Sequence, residues 1–130
     1  MELRSFAFCE SVFPDSNGKV IIVNPFQMIV VNFLPTGYSF SFTFGLSNVE
    51  KKGVKGKVEL VDPNNIVINS TVIDTGEIPN DISQNANDIT GLQLTIGYNN
   101  IQINSVGTYT IRVLLDHFEE LFEIEVLKND

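Results

Sequence analysis

The only histidine of the chain, His117, stands beside Asp116 and two positions before Glu119. An imidazole near carboxylates is a candidate general base or pH-responsive group, because the carboxylates favour its charged form. A serine hydrolase would add a nucleophile on a strained elbow, and the G-x-S-x-G pattern is absent. Cys9 is the single thiol that could pair with His117. It lies among Phe6, Ala7, Phe8 and Glu10 on an expected strand, where a small cysteine acts as packing, whereas a nucleophilic one needs an electropositive setting. One Cys and one His cannot assemble the usual structural zinc set within one chain. His117 therefore reads as a solvated turn residue and Cys9 as core.

Carboxylates are plentiful, which makes any pair of them weak evidence for glycoside hydrolysis: that chemistry depends on a fixed separation across a substrate. Asp74, Glu77, Asp81 and Asp88 could gather around a calcium ion, but their spacing departs from the D-x-[DN]-x-[DN]-G loop. A solvated acidic loop is the simpler expectation. Neither G-x-x-x-x-G-K-[ST] nor G-x-G-x-x-G occurs, and Gly53-Val54-Lys55-Gly56 suits hairpin geometry better than a phosphate cradle. Aromatic residues mostly fall at inward-facing positions; Tyr38 and Phe118, near expected turns, are the candidate contact residues. No catalytic, metal-binding or cofactor-binding residue is assigned, no cofactor is implied, and the expectation is that the protein is not an enzyme.

Charge narrows the partners. Eight Lys and Arg against sixteen Asp and Glu give a formal net charge of −8, which disfavours nucleic acid and anionic lipid. Lys51, Lys52, Lys55 and Lys57 crowd one segment, expected to be a solvated hairpin tip. The most apolar stretch, Val20 to Leu34, is interrupted by Asn24, Pro25, Gln27 and Asn32 and is too short to span a bilayer. The N-terminus reads as a first strand and not as a signal peptide. With a single cysteine no intrachain disulfide is possible, which favours a reducing, cytoplasmic compartment.

The elements that must position these groups are strands. From Ser39 to Ser47 every even residue, Phe40, Phe42, Phe44 and Leu46, is large and apolar, and the odd ones are small or polar. A helix would scatter those four side chains around its circumference; a pleated strand puts them on one face. The same alternation places Tyr109, Ile111, Val113 and Leu115 inward, then Phe122, Ile124 and Val126 between outward Glu123 and Glu125, with residues 116–120 as a five-residue turn. Leu92, Leu94, Ile96 and Tyr98 make another strand. Asp62-Pro63-Asn64-Asn65 turns residues 57–61 onto 66–72. At the front, residues 3–13 and 19–23 flank Pro14 to Gly18, and a strand follows from about Gln27 to Phe33. The stretch 74–88 is the least assignable and the expected place for a binding loop, pinned by Ile78 and Ile82.

These signals predict one all-β domain over residues 1–130, an antiparallel β-sandwich of immunoglobulin-like type with about eight or nine strands. A small barrel is the alternative closure.

Phe6-Ala7-Phe8-Cys9-Glu10-Ser11-Val12, then Asn17-Gly18-Lys19 and Ile22-Val23-Asn24-Pro25-Phe26 with Ile29, resembles the opening of a family of small uncharacterised bacterial proteins. In that family Cys-Asp follows an apolar residue, a turn ends in Gly-Lys, and an Ile-Gly-x-Phe-Asp-x-Ile type segment begins the next strand. Here Glu10, Asn24 and Gln27 stand at the Asp, Gly and Asp positions. The resemblance implies a sandwich fold and a bacterial, cytoplasmic setting, and it carries no activity onto any residue. The function expected is that of a noncatalytic structural or protein-interaction domain, with a protein partner or a homo-oligomer; a carbohydrate- or calcium-binding module is the first alternative and an enzyme with an unrecognised site the last.

Overall fold

Among the described residues, alternating apolar residues turn into nine strands and two sheets. The computed structural model describes residues 1–17, 19–78 and 91–129, and the described chain is all-β. The strands are β1 (Glu2–Pro14), β2 (Val20–Phe26), β3 (Met28–Val31), β4 (Thr36–Ser47), β5 (Lys55–Val61), β6 (Val67–Asp74), β7 (Leu92–Ile103), β8 (Gly107–Leu115) and β9 (Phe118–Lys128). One sheet has the order β2-β1-β4-β7, the other β3-β9-β8-β5-β6. Two sheets facing each other make the sandwich that was expected, and not a barrel.

The inward faces are the ones the alternation marks. Phe40, Phe42, Phe44 and Leu46 on β4 are buried against Tyr109, Ile111, Val113 and Leu115 on β8 and Phe122, Ile124 and Val126 on β9, all within one core. Each such side chain removed from water contributes on the order of 1.5–3 kcal/mol. An aromatic seam ties the layers together: the Phe122 ring lies 4.5 Å from Phe6 and 5.2 Å from Phe42, centroid to centroid, both on the opposite sheet. The outer face of β4 is not wet throughout. Thr43 is buried there, its hydroxyl 2.9 Å from Thr95 Oγ1 and accepting from Gln93 Nε2 at 2.7 Å.

Turns follow from residues that bond their own backbone. Asp62 Oδ1 accepts from the amides of Asn64 and Ile66, and Asn65 takes φ 64 to close that hairpin. Asp15 does the same for Asn17 and Lys19 between β1 and β2.

Five expectations need correction. Sheet pairing is antiparallel with one exception, since β3 runs parallel to β9, Met28 opposite Glu125 and Val31 opposite Lys128. The turn at 116–120 is a two-residue hairpin: Leu115 pairs Phe118, Asp116 supplies the left-handed conformation at φ 51, and Glu119 and Glu120 already belong to β9. The lysine segment is no hairpin tip. Lys51 and Lys52 sit on the crossing from β4 to β5, which lie in different sheets, while Lys55 and Lys57 are within β5. The expected strand from Gln27 to Phe33 shrinks to Met28–Val31. The strand from Leu92 runs on to Ile103, and its inward phase flips from Ile96 and Tyr98 to Ile101 and Ile103. Asn100, at φ 52, makes that flip, its amide donating to Ser39 Oγ at 2.9 Å where the β4 register shifts.

Candidate functional site

His117 projects from the β8–β9 hairpin between two surface clefts. One, of about 300 Å³, is lined by Met1, Glu50, Lys52, His117 and Phe118. The other, of about 610 Å³, is lined by Lys55, Lys57, Val72, His117 and Glu119. Asp116 anchors the turn through its amide, which donates to Lys55 O at 2.8 Å. The crossing segment is held as firmly: Gly53, at φ +85, lies so close to Gly76 that a β-carbon would stand 1.9 Å from its carbonyl oxygen. Both signs of charge ring the imidazole without a convergent set. The Lys52–Glu50 ion pair, 3.6 Å long, is exposed on both sides and worth little.

Cys9 is elsewhere. It is fully buried on β1, and its Sγ points at Ser41 O from 3.7 Å. Burial pushes the thiol up from its ordinary value, which disfavours the thiolate a nucleophile requires. Met1 lines the His117 cleft, and Cys9 lies eight positions further along the strand, roughly 26 Å at about 3.3 Å per residue. The structure does not bring this pair together.

The tyrosines divide by environment. Tyr98 is core: its hydroxyl is buried and has no hydrogen-bond partner among the described residues, and burial drives the phenol far above its usual range. Tyr38 is half-buried against Phe26 and Phe40, and burial followed by the charge of Glu10 raises its pKa. Phe118 is the aromatic that lines both clefts.

Of the acidic stretch, Asp74 Oδ1 accepts from the Gly76 amide at 3.0 Å and Ile78 is buried in the core, as its apolar side chain implied. Ile82, Asp81 and Asp88 lie outside the described residues. Among the described residues no group of three His, Cys, Asp or Glu is placed to hold a metal ion, and no helix is long and apolar enough to cross a membrane.

What sequence reasoning missed is where the charges are not. Among the described residues, the edges of the two sheets are β2, β7, β3 and β6. Together they carry one charged residue, Asp74, at the last position of β6. Edge strands expose unpaired backbone donors and acceptors, and proteins ordinarily protect them with charge. This chain does so elsewhere. Where β1 runs beyond β2 it carries Glu2 and Arg4, and where β9 runs beyond β3 it carries Glu119, Glu120 and Glu123. The partly uncovered flanks are charged; the four outermost strands carry only Asp74. The signal was legible as uncharged runs such as Val20-Ile21-Ile22-Val23, but only the strand order identifies them as edges.

The hairpin of β1 and β2 extends this surface. Pairing of β1 with β4 stops at Cys9–Ser41, whereas pairing with β2 continues from Ser11–Val23 to Pro14–Val20. Residues 11–14 and 20–23 are thus a two-stranded ribbon beyond the sheet. At its base Asn24 takes φ 50 and donates to Glu10 Oε2 at 2.7 Å.

Comparison with known proteins places the chain in a family of unknown function (DUF6941), whose match covers residues 4–126; the chain belongs to that family. No curated protein matches it.

Proposed function

We propose that this member of DUF6941 is a noncatalytic structural or protein-interaction domain, an immunoglobulin-like sandwich of the bacterial cytoplasm that assembles through the edges of its sheets. The observation that carries the reading is the near-absence of charge from all four edge strands in a chain of net charge −8 that does place charge on its partly covered flanks. Such edges accept an added strand, in which backbone hydrogen bonds supply affinity and alternate side chains supply selectivity.

The immunoglobulin-like assignment is supported by strand order and by a corner. The run β9-β8-β5-β6 beside a β4–β7 pair parallels the G-F-C-C′ and B-E neighbours of that fold. Tyr109, near the start of β8, donates its hydroxyl to Ser105 O at 2.8 Å, as the tyrosine of the E–F corner does. The buried, unpaired Cys9 suits a reducing compartment.

Native mass measurement over protein concentrations of roughly 1 to 100 μM, a range that brackets micromolar affinities, tests the reading. A mass above that of one chain, or a stoichiometric copurifying protein, is expected. A persistent monomer without a partner overturns it.

A further inference from the structure

We infer that the partner of the β2 edge is a second copy of this chain, joined antiparallel through Val20–Val23; the inference rests on the edge-assembly reading above and names the occupant of one edge. The β1–β2 ribbon is unlike the other edges. Successive residues of a strand point to opposite faces, and both Ile21 and Ile22 are 40% exposed, so neither face of the ribbon is covered. Phe13, paired to Ile21, is 48% exposed and Val20 37%. A two-stranded ribbon on its own is marginal in water, yet this one is built of Val12, Phe13, Val20, Ile21, Ile22 and Val23.

Symmetry selects the occupant. A two-fold axis normal to the sheet sets the residue on the axis opposite its own copy and pairs the residues on either side of it with each other, so a strand without opposite charges at matched positions gains nothing from any charge in the contact. Between Val20 and Phe26 there is none. Centring the axis on Ile21 or on Ile22 leaves only Val and Ile facing each other over the three central positions, the β-branched pairing that stabilises antiparallel neighbours. Between two bodies of net charge −8 an uncharged contact adds no local like-charge repulsion. A strongly basic partner would find its complement on β9, not here. Other edges suit self-pairing less: β3 has four residues, β6 is polar at Asn69-Ser70-Thr71, and β7 is broken at Asn100. Joining β2 to β2 makes one eight-stranded sheet from the two four-stranded ones.

Sedimentation velocity over the same concentration range compares the full chain with Ile22→Lys and Val20→Lys, and with Val72→Lys on the β6 edge, where the side chain is 80% exposed. Near-ultraviolet circular dichroism of the aromatic core checks folding. The expected result is a reversible dimer whose dissociation constant rises at least about tenfold in both β2 variants and is unchanged in Val72→Lys. Hydrogen exchange at the Val20–Val23 amides should slow as the dimer forms, a readout that needs no variant. A dimer that both β2 variants leave intact, or one lost only in Val72→Lys, overturns the inference while edge assembly stands. A monomeric full chain across the range also overturns it, and if no partner copurifies the wider reading falls too.

Discussion

Glu59 and Arg112 face each other across β5 and β8, with Arg112 Nη1 3.1 Å from Glu59 Oε1. Lys57 Nζ approaches the other carboxylate oxygen at 3.4 Å, so a largely buried Glu is held by two cations. Arg112→Leu leaves that carboxylate with an exposed lysine alone and should lower stability by about 1–3 kcal/mol in urea titration. Glu59→Leu with Arg112→Leu removes both charges and should recover most of that loss, because a buried pair is costly chiefly when half of it remains. A double variant no more stable than Arg112→Leu contradicts this account.

The same substitution should act with opposite sign at two tyrosines. Tyr109→Phe removes the donor to Ser105 O and should cost about 0.5–1.5 kcal/mol, while Tyr98→Phe removes a buried hydroxyl that has no partner among the described residues and should be neutral or stabilising. Thermal unfolding of the two variants side by side decides it. Destabilisation by Tyr98→Phe comparable to that of Tyr109→Phe would show that its hydroxyl has a partner.

Alkaline pH should unfold the protein in a way these variants can divide. Cys9 and Tyr98 both have folded pKa values raised by burial above 9.0 and 10.0, the values they would take when exposed. A raised folded pKa means that the folded state holds the proton more tightly, so its stabilisation is complete below the unfolded pKa and is lost as pH climbs above it. Stability should therefore begin to fall near pH 9 and fall more steeply beyond pH 10. Cys9→Ala should flatten the first part of the decline and Tyr98→Phe the second, as read from urea midpoints at each pH. Parallel curves for the variants and the parent chain would rule these groups out as its source.

Strands were legible wherever one face is wholly buried. Phe40 to Leu46 and Tyr109 to Leu115 alternate without error because each strand packs against the opposite sheet along its length. Legibility failed at positions governed by backbone conformation. Asn100 and Asp116 adopt left-handed φ values, and each shifts a phase or shortens a turn by an amount that polarity alone does not encode. Long-range placement was equally hidden: nothing local in Met28-Ile29-Val30-Val31 says that it will lie parallel to β9. For the candidate site, the burial of Cys9 followed from its neighbours, whereas the edge surface required knowing which strands end up outermost.

That parallel pairing sets an order of events. Ile29 and Val31 are buried on β3, yet the strand that covers their flank is separated from them by about three quarters of the chain, Ile29 opposite Val126. Pairings of such sequence separation form late, because the loop they close is long and slow to close. Until β9 emerges from the ribosome and docks, an uncharged β-branched segment waits without its neighbour, in a chain whose other edges are also unguarded. The interval before β9 docks is thus when the β3 segment is most exposed to premature association, and the glutamates of β9 arrive with the strand that ends the exposure.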